Sequence, residues 1–503
     1  MRWEEKKAVI RTVQKVHFVG IGGIGMSGLA EILLNLGYQV SGSDPQPSPI
    51  TSRLEKLGAV FYDHHDADNI HGANIVVYSA AIPRDNPELL AAQKAKIPAI
   101  PRSEMLADLM RMKPNAIAVA GTHGKTTTTS MIAAILEKAD IESTAIIGGI
   151  LNRKGSNVSW GTGDYLVAEA DEHDGSFLKL FPTITVVTSI DAEHLEYYGT
   201  IDAIRRAFLD FSNRIPFYGF SVVNKEDVNV RDILPQVRSN LITYAINYPA
   251  DLEAVSIKTN PPSLQNGVYK LELMETSFDV KNSNANLGPI GVLGRVKVKA
   301  AGKHNVLNAL AAISVGLGLG MPFQQVSDGL LLYDGVERRL QIKANFNGLL
   351  VVEDYAHHPT EISATLDAVS HLGGKRILAI FQPHLYSRTK FFTKEFAQSL
   401  LATSKLMITE IYKAREEPMP GVSGLNIVNE ARKLGHPDAE FFEDKFAIPD
   451  AIEKIMQKGD VILVLGAGDI WKIADGIADR IKRKHRAPSG NSSRTKRPRT
   501  SRR

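Results

Sequence analysis

The stretch Ala-Ile-Ala-Val-Ala-Gly-Thr-His-Gly-Lys-Thr-Thr-Thr-Thr, residues 116–129, decides how the chain folds. Its five small or apolar residues predict a buried strand, Gly121 and Gly124 allow a sharp turn, and a helix opens at Lys125. Such a turn directs backbone N–H groups and the positive end of a helix at one point, which suits an anion. We therefore predict an α/β domain with a phosphate site at this turn.

The residues of the same loop favour ATP and magnesium. Lys125 is expected to reach the outer phosphates and the Thr126 hydroxyl to ligate Mg²⁺. The general P-loop has its first glycine where this chain has Val119, so the loop is the shorter G-x-x-G-K-T form. The alternative is a glycine-rich turn with an exposed lysine. The predicted ATP-binding residues of the loop are Gly121, Thr122, His123, Gly124, Lys125, Thr126 and Thr127.

The composition is that of an ordinary globular protein, with 44% hydrophobic and 23% charged residues. A chain of 503 residues is too long for one core and suggests about three domains. The absence of cysteine excludes disulfides, thiol catalysis and thiolate zinc sites, and it fits a reducing compartment. Because no apolar run approaches about 18 residues and the N-terminus is charged, we expect a cytoplasmic protein with no membrane span or signal peptide.

The net charge of +4 is unevenly distributed. Residues 482–503 include ten Lys or Arg and no acidic residue, so the rest of the chain is mildly acidic. Because the end of this segment has almost nothing apolar to bury, we predict a disordered basic tail over residues 487–503. The tail could contact RNA, acidic lipid or a partner, or it could be a solvated extension without a catalytic role.

The first part of the chain carries a second glycine-rich turn. A predicted strand from Val16 runs into Gly-Ile-Gly-Gly-Ile-Gly, residues 20–25, and a helix follows. This G-x-G-x-x-G pattern indicates a nucleotide diphosphate at a helix N-terminus, and it suits NAD and a UDP-sugar equally. A strand at 75–82 is expected to end in the same crevice, and prolines place a boundary near 113. The predicted binding residues are Gly20, Gly22, Gly23, Gly25, Asp44 and Ser79.

Further strands are expected to deliver polar residues beside the ATP loop. Glu169 ends an apolar strand and is the preferred magnesium ligand, although the acids after it could form a solvated turn. His194 follows another strand as a second metal or phosphate ligand, or as a structural histidine. Asn305 and Asn308 share one face of a later helix and could read an adenine edge, or simply give the helix a polar face. Period-two alternation between 254 and 300 predicts antiparallel strands.

From about Val336 onward the sequence predicts another doubly wound α/β domain. Four apolar strands each end in a polar or glycine-rich loop, so the functional loops are expected to share one edge of a sheet. Histidine, tyrosine and arginine in these loops suit a small zwitterion, with Arg388 as the bidentate partner of a carboxylate.

Four motifs occur in order: Gly-Thr-His-Gly-Lys-Thr-Thr, Glu-Ala-Asp-Glu, Asp-Tyr-Ala-His-His-Pro-Thr-Glu-Ile and Gln-Pro-His. With them the chain resembles the Mur ligases of peptidoglycan synthesis over about residues 15–480. The resemblance implies ATP-driven amide formation through an acyl phosphate, with ATP and Mg²⁺ as cofactors and with UDP-N-acetylmuramate and L-alanine as substrates. We expect a monomer or weak dimer.

The resemblance implies an α/β fold of three domains. A Rossmann-like UDP-sugar domain spans 1–113, a P-loop ATPase domain with a mainly parallel sheet plus antiparallel strands spans 114–335, and a Rossmann-like amino-acid domain spans 336–486. Carried over by motif, the catalytic residues are Lys125, Glu169, His194, Arg339 and Asp354. Magnesium is assigned to Thr126, Glu169 and His194, ATP also to Asn305 and Asn308, and the amino acid to His357, Tyr386 and Arg388.

The chain departs from the family pattern at two points. No lysine follows His194 before Lys225, whereas several sister ligases carry a carbamylated lysine there, and this fits the alanine-adding branch. Many relatives have arginine after Gln-Pro-His, where this chain has Leu385. Carboxylate recognition is therefore expected to rest on Arg388.

Three other functions are compatible with parts of the sequence. A recycling ligase of the same family would add a tripeptide to UDP-N-acetylmuramate. An NAD-dependent oxidoreductase would use the first glycine-rich turn, but it leaves the ATP loop unexplained. A nucleic-acid-stimulated ATPase would combine the ATP loop with the basic tail.

Overall fold

A computed structural model describes residues 13–152, 155–270, 275–414 and 416–486. The described chain forms two compact units. The first contains residues 13–262, 275–341 and 363–372, and the second contains 263–270, 342–362 and 373–486. The basic tail predicted at 487–503 lies outside the described residues, and the predicted domain boundaries stay a prediction. Among the helices in the described ranges, none is both long enough and apolar enough to cross a membrane.

The first unit begins with a five-stranded parallel sheet. Its elements are β1 (Lys15–Val19), α1 (Ile24–Asn35), β2 (Gln39–Ser43), α2 (Pro49–Lys56), β3 (Val60–Tyr62), β4 (Ile75–Tyr78), α3 (Pro87–Ala95), β5 (Ala99–Pro101) and α4 (Arg102–Arg111). The strand order is β3-β2-β1-β4-β5, and Val16 pairs with both Val40 and Ile75. Because β1 lies in the middle, the glycine-rich turn that follows it lies at the centre of the carboxyl edge.

The same unit contains a ten-stranded sheet. The next elements are β6 (Asn115–Ala120), α5 (Lys125–Lys138), β7 (Thr144–Leu151), β8 (Ser156–Ser159), β9 (Tyr165–Glu169), β10 (Ile184–Val187), α6 (Leu195–Tyr198), α7 (Ile201–Ser212), β11 (Phe220–Asn224), α8 (Val228–Ile233), β12 (Leu241–Ala245), β13 (Leu252–Asn260), β14 (Ser263–Gln265), β15 (Val268–Lys270), β16 (Glu275–Asn282), β17 (Gly291–Val298), α9 (Lys303–Gly318) and α10 (Phe323–Leu330). The order is β17-β16-β13-β12-β11-β10-β6-β9-β7-β8, so β6 lies between β10 and β9.

The antiparallel strands predicted between 254 and 300 are confirmed. β13, β16 and β17 pair antiparallel at one end of the large sheet. Within the same range, β15 (Val268–Lys270) is not part of this group, because it pairs with β14 in a separate two-stranded sheet of the second unit. Period-two alternation predicts a strand but not its partner, since pairing depends on distant segments.

The second unit is built on a six-stranded sheet. Its remaining elements, apart from residues 341 and 363–370, which belong to the first unit, are β18 (Gln341–Phe346), β19 (Leu349–Asp354), α11 (Pro359–Ser370), β20 (Arg376–Phe381), α12 (Tyr386–Leu400), β21 (Lys405–Thr409), α13 (Gly424–Lys433), β22 (Ala439–Phe442), α14 (Ile448–Ile455), β23 (Asp460–Leu465) and α15 (Trp471–Arg486). The order is β18-β19-β23-β20-β21-β22, with β19, β23, β20, β21 and β22 paired in parallel. Every residue of β19 and β23 is buried, which explains their continuous apolar runs. The predicted α/β fold class is confirmed.

We expect Phe208→Ala to lower the free energy of unfolding of the first unit by about 3–5 kcal/mol, the usual loss when a fully buried phenylalanine is truncated. Phe208 is 0% exposed, and its ring centroid lies 5.2 Å from that of Phe177. Denaturant unfolding followed by circular dichroism measures the change. The matched control is Phe217→Ala, because Phe217 is 92% exposed and its removal should change the free energy by less than about 0.5 kcal/mol. Equal effects of the two substitutions would contradict the assignment of the core.

Candidate active site

The turn between β6 and α5 requires glycine at two positions. Gly121 has φ +138° and Gly124 has φ +83°, a region that side chains other than hydrogen rarely allow. A Cβ on Gly121 would lie 2.0 Å from the Thr188 hydroxyl oxygen, and one on Gly124 would lie 2.5 Å from the Asn308 carbonyl oxygen. The glycines therefore allow the loop to turn closely against two neighbouring segments before α5 begins.

The loop is fixed by the segment that follows β10. The backbone N–H of Thr122 donates to the Ser189 carbonyl at 3.0 Å, and that of His123 donates to the Ser189 hydroxyl at 2.9 Å. In return, the backbone N–H of Asp191 donates to the Thr122 hydroxyl at 2.8 Å. His123 Nε2 lies 3.4 Å from an Asp191 carboxylate oxygen. These bonds fix the conformation of the loop, which preorganises the anion site.

Lys125 forms a nearly buried ion pair at the start of α5. Its ammonium nitrogen lies 2.9 Å from both carboxylate oxygens of Glu172 and donates to the Gly121 carbonyl at 2.6 Å. The side chains of Lys125 and Glu172 are 19% and 4% exposed. Burial alone would lower the pKa of Lys125, but the charges of Glu172 and Asp171 outweigh it and raise the pKa. Lys125 is therefore a positive charge that the loop keeps beside its phosphate-facing turn.

The pKa values of the acids after β9 shift in opposite directions. Burial raises the pKa of Glu172 to about 7, although the Lys125 charge opposes the shift. For Asp171 burial acts in the same direction, but Lys125 and Arg102 outweigh it and lower the pKa. The Arg102 guanidinium lies 3.2 Å from the Asp171 carboxylate. Charges of both signs thus converge on this loop, as a site for charged substrates requires.

Thr126 and Glu169 form a pair of oxygen ligands that fits Mg²⁺. The Thr126 hydroxyl donates to Glu169 at 3.2 Å, and the other carboxylate oxygen of Glu169 accepts the Gly148 N–H at 2.5 Å. Burial raises the pKa of Glu169, while Gly148, Lys125 and Arg339 oppose the shift. A hydroxyl and a carboxylate at one point are hard ligands of the kind that Mg²⁺ prefers.

The neighbours of the His194 side chain include His173 and Glu196. Its imidazole lies against that of His173, with ring centroids 4.5 Å apart, and its Nδ1 lies 3.5 Å from a Glu196 carboxylate oxygen. A magnesium site shared by His194, Thr126 and Glu169 therefore stays a prediction.

Asn305 and Asn308 lie on α9 beside the P-loop helix, and both are buried. The Asn305 amide donates to the Ala301 carbonyl at 2.8 Å, and that of Asn308 donates to the Asn305 side-chain oxygen at 3.3 Å. The Thr128 hydroxyl donates to Asn308 at 3.2 Å. These bonds connect α9 with α5. Recognition of adenine by the two amides stays a prediction.

Hydrogen bonds also fix the conformation of the glycine-rich turn in the first sheet. The Ser43 carbonyl accepts the N–H groups of Gly20 at 2.8 Å and of Ile21 at 3.0 Å, and the Asp44 carboxylate accepts that of Gly22 at 3.1 Å. Asp44 therefore helps to fix the turn, and its role as a nucleotide ligand stays a prediction. Ser79 follows β4 and its hydroxyl accepts the Ala81 N–H at 3.3 Å. Helix α1 begins directly after Gly23, so its N-terminus faces the turn.

Glu88 is a fully buried carboxylate beneath this turn that the sequence interpretation missed. The Ser43 hydroxyl donates to it at 2.7 Å, and the Asn69 amide donates at 2.8 Å. His65 Nδ1 lies 2.9 Å from the carboxylate, and His17 Nε2 lies 3.3 Å from it. Burial raises the pKa of Glu88, but these partners together lower it from 4.5 to about 2. A buried anion with four partners fixes the strand end that supports the turn.

In the second unit the predicted amino-acid residues lie at strand ends of one sheet. Asp354 ends β19, and its carboxylate accepts the Ala356 N–H at 2.8 Å. The His357 N–H donates to Glu361 at 3.0 Å, and His357 Nδ1 lies 3.1 Å from the same carboxylate. Tyr386 opens α12, and burial and the charge of Glu410 raise its pKa.

Two aromatic residues complete this part of the second unit. The His384 ring lies 5.8 Å from that of His357 and stacks on Tyr412 at 5.7 Å. A guanidinium nitrogen of Arg388 lies 3.4 Å from His384 Nδ1. His384 therefore lies close to both His357 and Arg388. The Gln-Pro-His motif signalled His384, whereas nothing local in the sequence pointed to its stacking on Tyr412.

The chain matches the descriptions of known protein families over most of its length. Residues 15–114 match the Mur ligase family, catalytic domain, and residues 119–316 match the Mur ligase middle domain. Residues 338–468 match the Mur ligase, glutamate ligase domain.

The chain is also similar to whole proteins. The UDP-N-acetylmuramate–L-alanine ligase of Trichlorobacter lovleyi is 46% identical over 471 residues, or 93% of this chain and 99% of that protein. The crystal structure of the UDP-N-acetylmuramate–alanine ligase MurC from Thermotoga maritima has a TM-score of 0.75 at 29% identity and covers 93% of this chain and 99% of its own. The murein peptide ligase of Psychrobacter arcticus, at TM-score 0.67 and 24% identity over 93% and 98% of the chains, shares the fold.

We expect Glu88→Gln to remove a pH-dependent part of the stability. Because the pKa of Glu88 falls from 4.5 to about 2 on folding, the carboxylate stabilises the protein above pH 4.5 and loses this effect as the pH falls towards 2. A shift of this size corresponds to roughly 3 kcal/mol. Denaturant unfolding from about pH 6 to about pH 2 should therefore show a flatter pH dependence for the variant.

The exposed Glu55 provides the matched control, Glu55→Gln, which should retain the pH dependence of the original chain. If the free energies of unfolding of Glu88→Gln and of the original chain fell in parallel on acidification, the proposed contribution of the buried carboxylate to stability would be wrong.

Proposed function

The chain belongs to the Mur ligase family, and from this premise we propose that it joins L-alanine to the lactyl carboxylate of UDP-N-acetylmuramate with consumption of ATP. This reaction makes it an enzyme of peptidoglycan precursor synthesis. The relative named for this reaction spans nearly the whole chain at 46% identity. The chemical part of the proposal rests on one observation, the convergence of Lys125, Thr126 and Glu169 at the turn after β6. A cytoplasmic location belongs to the proposal, since a chain without cysteine fits a reducing compartment.

In the first step a carboxylate oxygen of the sugar attacks the γ-phosphorus of ATP, and the bond from that phosphorus to ADP breaks. The products are an acyl phosphate and ADP. We assign the Lys125 ammonium, which pairs with Glu172 in the structure, to the γ-phosphate, which then takes the place of the Glu172 carboxylate as the counter-ion of Lys125. The backbone N–H groups of the turn bind the remaining phosphate oxygens. Positioned charge of this kind provides most of the catalysis in phosphoryl transfer.

Magnesium is part of the proposal. Thr126 and Glu169 would hold Mg²⁺, and the bound ion would neutralise charge on the phosphates. The neighbouring positive charge of Arg339 favours the ionised form of Glu169, which is the form that binds a cation.

In the second step the amine of L-alanine attacks the acyl carbon and inorganic phosphate leaves. Within the second unit, Arg388 suits the carboxylate of the amino acid because a guanidinium binds a carboxylate through two parallel hydrogen bonds. His357 and Tyr386 lie at strand ends of the same sheet and are assigned to the same ligand. Asp354 remains a catalytic candidate by motif alone.

The first sheet is proposed to bind the UDP part of the sugar. Its turn at Gly20–Gly25 lies before the N-terminus of α1, which favours a diphosphate. Nicotinamide binding would use the same turn but gives no role to the loop at Lys125. We therefore assign the turn to UDP-N-acetylmuramate.

We expect the purified chain to release ADP only when ATP, Mg²⁺, UDP-N-acetylmuramate and L-alanine are all present. A coupled ADP assay across amino acids, with the tripeptide of the recycling ligases as a further amine, measures the selectivity. ADP release with the tripeptide and none with L-alanine would contradict the proposal and identify a recycling ligase.

The variant Lys125→Ala tests whether ADP release depends on the phosphate-binding loop. It should abolish ADP release and leave binding of UDP-N-acetylmuramate, measured by calorimetry, unchanged, because the sugar is assigned to the first sheet. The matched variant Lys179→Ala removes a half-exposed surface lysine and should retain activity. Loss of sugar binding in Lys125→Ala would show that the assignment of the two sites is wrong.

A further inference from the structure

The strands β7 and β8 connect the two sheets of the first unit. They pair antiparallel at one end of the ten-stranded sheet, with Ile146 opposite Val158. Both strands also pack against α1, the helix that follows the glycine-rich turn of the five-stranded sheet. The β7–β8 pair is therefore a direct contact between the sheet that carries the loop at Lys125 and the sheet assigned to UDP.

The first contact is made at the start of α1. The Asn157 side-chain amide donates to the carbonyl of Ile24, the first residue of α1, at 2.5 Å. Asn157 is 7% exposed, so water competes little for this bond. The bond attaches β8 to the end of α1 that faces the turn assigned to the diphosphate.

Glu31 makes a second contact two turns further along α1. Its carboxylate accepts two hydrogen bonds from the Arg53 guanidinium, at 2.8 Å and 3.2 Å, and one from the Ser156 hydroxyl at 3.2 Å. The Arg53 guanidinium also donates to the Gly155 carbonyl at 3.3 Å. A bidentate pair of this kind fixes direction as well as distance. The start of β8 is thereby held against both α1 and α2.

Gly28 lies between these two contacts and allows the close approach. A Cβ on Gly28 would lie 2.9 Å from the Asn157 amide nitrogen and 3.2 Å from a methyl carbon of Val158. Glycine inside a helix is unfavourable relative to alanine. Its position on the buried side of α1 therefore reflects the space that β8 occupies.

The same strand pair also contacts the residues assigned to magnesium. The Gly148 N–H of β7 donates to one carboxylate oxygen of Glu169 at 2.5 Å, and the other oxygen accepts from the Thr126 hydroxyl. The β7–β8 pair thus bonds to α1 through Asn157 and to the edge of the ATP loop through Gly148.

We propose that Asn157 is a positioning residue that fixes the distance between the turn at Gly20–Gly25 and the loop at Lys125. The inference rests on the proposed function, because it needs the diphosphate at the first turn and the γ-phosphate at the second. The lactyl carboxylate and the γ-phosphorus must approach to about 3–3.5 Å, and a displacement of about 1 Å can cost a hundredfold in rate. Neither the sequence motifs nor the family resemblance assigns a role to Asn157.

Two variants of the full chain test this role. Asn157→Ala removes the bond to α1, and Gly28→Ala adds a methyl group that must displace β8, although alanine itself favours a helix. Each should slow ADP formation in a single turnover, with all substrates saturating, at least about tenfold. The dissociation constants of ATP and of UDP-N-acetylmuramate, each measured alone by calorimetry, should change by less than about twofold, because each site stays intact on its own sheet.

The matched control is Asn240→Ala. The Asn240 amide also donates to a backbone carbonyl, that of Gly219 at 2.9 Å, but it lies before β12, at the opposite edge of the sheet from the loop at Lys125. This variant should keep the single-turnover rate of the original chain. Unchanged rates in Asn157→Ala and Gly28→Ala, an equal loss in Asn240→Ala, or a loss explained by weaker binding of one substrate would overturn the proposal. ADP release by the original chain reports separately on the ligase function.

Discussion

A positive charge that is nearly buried must have an anion beside it, and this constraint organises the large sheet of the protein. Lys125 follows the central strand β6 directly, and Glu172 provides its counter-ion at 2.9 Å. Removing one member of such a pair leaves an uncompensated charge, which is strongly unfavourable. Because the loop is built to hold an anion against Lys125, a phosphate that replaces Glu172 encounters a site whose shape and charge are already in place.

The order of the strands explains why the other groups lie around this lysine. β9 and β10 flank β6 and run parallel to it, so the three carboxyl ends meet at one edge. Glu169 and Glu172 therefore come from one side of the turn, and Ser189, Asp191 and His194 come from the other. The antiparallel strands attach at the far end of the sheet, where they do not interrupt this edge.

The sequence predicted the features that depend on local chemistry. Glycines at 121 and 124 are needed for positive φ angles, and the alternation of strands and helices follows from apolar periodicity. The partners of these residues were harder to predict, because they depend on packing between distant segments. No sequence pattern singles out Glu88, yet its carboxylate interacts with side chains from three other segments. In the same way, the pairing of His173 with His194 and the stacking of His384 on Tyr412 follow from the sheet order, which no local pattern gives.

The central claim is that the turn after β6 directs the γ-phosphate at a carboxylate and not at water. The most direct measurement uses UDP-N-acetylmuramate whose lactyl carboxylate carries oxygen-18, turned over with ATP and L-alanine. The account predicts that each inorganic phosphate released contains one labelled oxygen from the sugar, because the acyl carbon–oxygen bond breaks when the amine attacks. Phosphate without label, formed at the same rate as the amide, would contradict an acyl phosphate and with it the assigned role of Lys125.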